Sequence, residues 1–282
     1  MFSFRPARRH DRGRRVGNDV DTADLLAGRV AIVSGVGPGL GRALALALAR
    51  AGADVGLGAR RAAPLERVAA EIEDLGRRSC AVPTDVTDPD QCRRLADTVA
   101  SRLGRLDALV NNAFAEEDWH EPFDGFDPAR WRAPMDVNCL GSLTLTQAAL
   151  PHLRGRGGAV VMISTLSVKN PIPLLAGYAA SKRALTDASR VLADELAPDN
   201  IRVNCVAPGH IAGPVLDEYF AWNAKRRHVS PATIEAEIAA QSALPRIATP
   251  EEIARTVVFF ASDLARGVTG QSLDVNCGRT LS

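Results

Sequence analysis

A tyrosine and a lysine stand four apart in Tyr178-Ala179-Ala180-Ser181-Lys182, in a chain with only two tyrosines and three lysines. Helical spacing puts both side chains on one face. A phenol, with an ordinary pKa of about 10, exchanges protons poorly at neutral pH unless a nearby cation stabilises its phenolate. An ammonium one turn along can do that and still donate to a sugar hydroxyl. The pair therefore suits general acid–base work. The spacing alone is common, and an isolated Tyr-x-x-x-Lys is more often a chance pairing of a core tyrosine with a surface lysine. Its weight comes from a second cluster upstream.

That cluster is Ser34-Gly35-Val36-Gly37-Pro38-Gly39-Leu40-Gly41. It follows the apolar run Val30–Val33 and opens the helix-forming stretch Leu40–Arg50. Glycines at such a place allow a tight turn, close approach of backbone to a pyrophosphate, and close packing of helix on strand. The helix start adds unpaired N–H groups and the positive end of its dipole. A bare structural turn is the competing reading. The end of the second strand separates the two dinucleotides. A free ribose 2′-hydroxyl is usually held there by Asp or Glu, about 20 residues past the glycines. This chain has Ala59-Arg60-Arg61 instead. Guanidinium groups match a 2′-phosphate bidentately, so the expectation is NADP(H) rather than NAD(H), with Arg60 as the main contact and Arg61 beside it.

The elements needed to hold these residues alternate along the chain. Strands are expected at Val55–Ala59, Cys80–Val82, Leu106–Val110, Ala159–Ser164, Arg202–Val206 and Gln271–Val275. Helices are expected at Pro64–Leu75, Pro89–Leu103, Met135–Leu153, Gly177–Leu196 and Glu251–Ala261. The strands are apolar throughout rather than alternating, which implies burial on both faces. An α/β fold follows, a doubly wound parallel sheet flanked by helices on both faces in a single domain. Composition agrees: 46% hydrophobic and 24% charged is globular, not disordered. A net charge of +1 argues against a nucleic-acid protein, and no apolar run is long enough to span a membrane. Residues 1–27 are arginine-rich and read as a solvated tail, with 28–282 as the domain. The five cysteines are scattered and read as reduced, mostly buried thiols of a cytoplasmic protein. The histidines lack metal-ligand spacing, and His210 reads as an exposed loop residue.

From Gly28 to about Gly278 the chain resembles the short-chain dehydrogenase/reductase family, in its shorter single-domain, Rossmann-type branch. Beyond the glycine turn and Tyr178-x-x-x-Lys182, five features agree in order. They are Asp85-Val86, Asn111-Asn112-Ala113, Val137-Asn138 with Gly141, Asn204 through Pro208-Gly209, and Thr269-Gly270. The resemblance implies hydride transfer between the nicotinamide and a carbonyl or secondary alcohol carbon. Tyr178 would be general acid in reduction and base in oxidation, Lys182 would lower its pKa and hold the ribose, and Asn138 would hold a proton-relay water. Thr165, thirteen residues before Tyr178, stands where the family has its substrate-orienting serine, with Ser164 in reserve. The cofactor would lie on Gly35, Gly37, Gly39, Leu40, Gly41, Arg60, Arg61, Asp85, Val86, Asn112, Ala113, Tyr178, Lys182, Pro208, Gly209 and Ile211.

Other departures stand out. Phe114 replaces the glycine of Asn-Asn-Ala-Gly, which implies a narrowed cleft or a changed backbone. Gly213 stands where a nicotinamide-touching threonine is frequent. Trp119, Phe123 and Phe126 follow Phe114, and Leu216, Tyr219, Phe220 and Trp222 lie in an expected substrate lid at 211–245. They point to a moderately bulky, apolar substrate, although packing of the loops explains them nearly as well. The short tyrosine-to-lysine spacing counts against an enoyl reductase. A dinucleotide-binding sensor or scaffold without turnover is the non-enzymatic alternative. By resemblance, the helices at 135–153 and 177–196 would pack against copies of themselves in a homodimer or homotetramer.

Overall fold

The computed structural model describes residues 24–115, 123–125, 127–170, 172 and 174–280. Seven apolar runs form the strands β1 (Val30–Ser34), β2 (Asp54–Ala59), β3 (Ser79–Pro83), β4 (Ala108–Asn111), β5 (Gly158–Ile163), β6 (Ile201–Pro208) and β7 (Ser272–Val275). They pair in parallel in the order β3-β2-β1-β4-β5-β6-β7. Between them run α1 (Leu40–Arg50), α2 (Ala62–Asp74), α3 (Pro89–Leu103), the single turn α4 (Arg132–Pro134), α5 (Ser142–Leu153), α6 (Ala176–Glu195), α7 (Pro214–Arg227), α8 (Pro231–Ala240) and α9 (Pro250–Ala261).

Alternation along each strand sends neighbouring side chains to opposite faces, and both faces are covered. On one, Ala31, Val33, Val55 and Leu57 pack with Leu44 and Leu48 of α1, Ile72 of α2 and Val257 and Phe260 of α9. On the other, Val30, Ile32, Leu109 and Val160 pack with Leu95 and Val99 of α3, Leu145 of α5 and Leu185 of α6. This is the doubly wound, Rossmann-type α/β sheet expected. Leu26 belongs to the first core and donates its N–H to the Ala51 carbonyl at 2.7 Å, so the folded part begins ahead of Gly28.

One local expectation needs correction. The stretch 135–153 is not one α-helix: Met135–Gly141 is π-helical and only Ser142 onward is α. The region 211–245 carries two helices, each with proline in its first turn, where a missing N–H costs no hydrogen bond. They share a small core of Phe220, Ala224 and Ile234. Trp119, Phe126 and most of the arginine-rich tail lie outside the described residues.

Candidate active site

Strand order reverses between β1 and β4, and the glycine turn sits at that switch point, where open α/β sheets form a crevice. Gly35 has φ +71°, and a Cβ there would stand 2.5 Å from the Ala113 Cα, so the first turn must be glycine on both counts. A Cβ on Gly41 would meet the Gly35 carbonyl at 2.3 Å, which fixes how closely α1 packs on the turn. Gly37 and Gly39 differ: nothing lies within 4 Å of where their Cβ atoms would be. The protein's own packing does not require glycine there, whereas an anion resting on the backbone at the start of α1 does. Leu40 opens that helix. Ser34 Oγ accepts the N–H groups of Asn112 (3.1 Å) and Ala113 (3.3 Å), and Asn112 Nδ2 donates to the Gly35 carbonyl at 2.9 Å. These bonds tie the turn to the end of β4.

Beside the turn opens a cavity of about 1030 Å³ lined by Gly35, Gly37, Arg60, Arg61, Asp85, Val86, Ala113, Phe114 and neighbours. Arg60 and Arg61 are exposed there, and neither makes an ion pair among the described residues. Asp85 Oδ1 accepts from the N–H and hydroxyl of Thr87 at 3.0 and 2.8 Å. Phe114 lines the cavity at 49% exposure without adopting a positive φ. The backbone is therefore not forced into a glycine conformation, and the ring narrows the cleft without closing it.

The phenol and ammonium lie further along the crest. Tyr178, half-buried, and Lys182, 2% exposed, share the first turns of α6. Lys182 is thus no surface lysine: its Nζ donates to the Ile163 carbonyl at the end of β5, 2.7 Å away. Burial pulls its pKa down to about 8, with Cys205 and Cys139 opposing. Asn138 is wholly buried on the π-helical stretch. Its Oδ1 accepts from Ala115 N–H at 2.8 Å, its Nδ2 donates to Ser181 Oγ at 3.0 Å, and its main-chain carbonyl accepts from Ser142 Oγ at 3.0 Å. Thr165 and Ser164 follow β5. Ser164 Oγ is paired with Thr186 Oγ1 at 2.7 Å, whereas Thr165 Oγ1 makes only 3.3 Å contacts to Ser167.

At the ends of β6 and β7, Pro208 closes β6, the Gly209 N–H donates to the Val275 carbonyl at 3.3 Å, and Ile211 bridges to Ala248. His210 is half-buried rather than exposed, and burial, with Arg279 nearby, lowers its pKa. Tyr219 and Trp222 of α7 remain 39% and 36% exposed, while Phe220 is spent on the small core shared by α7 and α8. Sequence reasoning passed over Ser181 and Trp131. The ring of Trp131 packs on Gly177, where a Cβ would meet it at 2.7 Å. Ser181 was in plain view inside Tyr178-x-x-x-Lys182, but Trp131 carries no local signal.

The fold and the turn define the class, a Rossmann-type dinucleotide-binding protein. A family model described as "Enoyl-(Acyl carrier protein) reductase" matches residues 35–280. The cis-4-hydroxycyclohexanecarboxylate dehydrogenase of Sinomonas cyclohexanicum is 35% identical over 258 residues, 91% of this chain and 98% of the relative. The L-sorbose reductase of Gluconobacter frateurii, solved with NADPH and L-sorbose, superposes with a TM-score of 0.85 at 30% identity, covering 92% of this chain and 100% of that one. Carveol dehydrogenase from Mycobacterium avium, solved with NAD, gives 0.85 at 29% identity over 91% and 99%. The chain belongs to the short-chain dehydrogenase/reductase family. Its relatives are dehydrogenases and reductases, and the chain is an oxidoreductase of that NAD(P)-linked fold.

Proposed function

We propose that this protein is an NADP(H)-dependent oxidoreductase that interconverts a carbonyl and a secondary alcohol. The observation that carries this reading is the sealed ammonium of Lys182, one helical turn from Tyr178 and held by the Ile163 carbonyl. A cation at low dielectric stabilises a phenolate more strongly than one in water, so it tunes Tyr178 to give up or take a proton near neutrality. Bound nicotinamide would supply or take up the hydride. Tyr178 donates the proton to the carbonyl oxygen in reduction and removes it in oxidation. Thr165 orients that oxygen, because the Ser164 hydroxyl is already committed to Thr186. The Asn138 side chain is a strut between Ala115 and Ser181, so a relay water would have to meet its main-chain carbonyl.

Gly35, Gly37, Gly39, Leu40 and Gly41 hold the pyrophosphate, Asp85 and Val86 the adenine, and Asn112 and Ala113 the floor of the site. Arg60 and Arg61, exposed in the cavity without ion-pair partners among the described residues, hold the 2′-phosphate. Tyr178 and Lys182 hold the nicotinamide ribose, and Pro208, Gly209 and Ile211 border the nicotinamide. Exposed Tyr219 and Trp222 favour a moderately bulky, apolar substrate. Exposed Val191 on α6 supports a homodimer or homotetramer built on α5 and α6. Despite the family model's description, the four-residue tyrosine-to-lysine spacing favours carbonyl over enoyl substrates. No observation favours a sensor without turnover.

The test is NADPH consumption across a panel of cyclic and aryl ketones and enoyl thioesters, with Tyr178→Phe alongside. Ketone turnover lost in Tyr178→Phe supports the reading. Turnover of enoyl thioesters alone, or ketone turnover that survives the substitution, would overturn it.

A further inference from the structure

Phe114 is a large apolar side chain left half exposed in a cavity of mixed polar and apolar lining, where a bound ligand would cover it. It lies two residues beyond buried Asn112, and it shares the cavity with Arg60, Arg61, Asp85 and Val86. The backbone on either side is pinned: the Ala113 N–H donates to Ser34 Oγ at 3.3 Å and the Ala115 N–H to Asn138 Oδ1 at 2.8 Å. The ring therefore cannot be withdrawn by a shift of the loop without breaking the bonds that build the site. Leu140, 50% exposed, lines the same cavity. Arginines and Asp85 suit the charged and hydrogen-bonding parts of a ligand, whereas a phenyl and a leucyl side chain call for a flat, apolar-faced one. The part of a nicotinamide dinucleotide with that character at this end of the site is the adenosine.

Resting on the dinucleotide reading above, we infer that Phe114 is an affinity-determining contact for the cofactor, its ring covering the adenosine half. The contact is indifferent to the 2′-position. Phe114 thus sets how tightly either dinucleotide is held, and Arg60 sets which of the two is preferred.

The experiment is titration of the full-length protein, as wild type, Phe114→Ala and Phe114→Tyr, with NADPH, NADH and adenosine 2′,5′-bisphosphate, alongside thermal melting. Phe114→Ala should weaken all three by a similar factor, about tenfold or about 1.4 kcal/mol. Phe114→Tyr, which keeps the ring, should restore binding to near the wild-type level. Unchanged or tighter binding of the bisphosphate by Phe114→Ala overturns the inference. So does a loss confined to the intact dinucleotides, which would move the contact to the nicotinamide half. A half-exposed ring is not needed for folding, so Phe114→Ala should melt with the wild type, and a large fall in Tm would also count against this role. If the wild type binds no dinucleotide, the underlying reading fails and this inference with it; a selective defect in the variant leaves that reading intact.

Discussion

Asn138 and Ser181 are joined across two elements: Asn138 Nδ2 donates to Ser181 Oγ at 3.0 Å, and that hydroxyl donates to the Tyr178 carbonyl at 2.7 Å. The π-helical stretch is thereby tied to the turn of α6 that carries both the phenol and the ammonium. Such π-helical segments are rare and are frequent at functional sites. Ser181→Ala should leave a buried amide N–H unpaired, at about 1–3 kcal/mol. The expected outcome is a lower Tm and reduced kcat with dinucleotide affinity retained; a variant with unaltered Tm and kcat would remove Ser181 from the account.

Tyr178→Phe removes the proton and little else. The expected loss in kcat is about 10²–10⁴-fold, the usual worth of a general acid–base group. Steady-state kinetics with a ketone, paired with calorimetric titration of the cofactor, checks both halves. Cofactor affinity should stay within a few-fold of wild type.

Thr165 and Ser164 are adjacent but differently engaged, and single substitutions separate them. Thr165→Ser should keep most activity, Thr165→Ala should lose it, and Ser164→Ala should chiefly lower Tm by breaking the buried bond to Thr186. If Ser164→Ala is the inactive one, the orienting hydroxyl has been misassigned.

Lys182 makes a pH prediction whose sign follows from its folded pKa of about 8 against 10.5 as the ordinary value. Below about 8 the lysine is charged in both states and the fold carries the full penalty of burying the charge. Between 8 and 10.5 the unfolded chain binds more protons than the folded one, so stability rises with pH, by up to about 1.4 kcal/mol per unit. The wild type should therefore gain Tm relative to Lys182→Met as pH rises from 8 to 10. A difference that stays constant or shrinks would mean that the ammonium is not desolvated.

Much of this was legible in the residues because the signals are local. Apolar strands, a glycine turn and Tyr178-x-x-x-Lys182 state their periods and spacings directly, and all seven strands fell within a few residues of their expected places. What was not legible depends on tertiary contact. No periodicity distinguishes the π-helical stretch Met135–Gly141 from α-helix, and the bonds that Asn138 makes from it to Ala115 and Ser181 join residues far apart in sequence. The helices α7 and α8 carry no clear sequence signal because their apolar residues serve a small private core, Phe220 with Ile234, rather than a stripe facing the sheet. Phe114 implies a narrowed cleft or an altered backbone; its own φ is not positive and its ring lines the cavity.

Calorimetric titration of the purified protein with NADPH and, separately, NADH decides whether it is the NADP(H)-linked oxidoreductase proposed above. NADPH should bind at least about tenfold tighter, a difference of roughly 1.4 kcal/mol, and Arg60→Ala should erase most of that margin. Tighter binding of NADH would contradict the assignment of Arg60, and binding of neither would contradict the dinucleotide site itself.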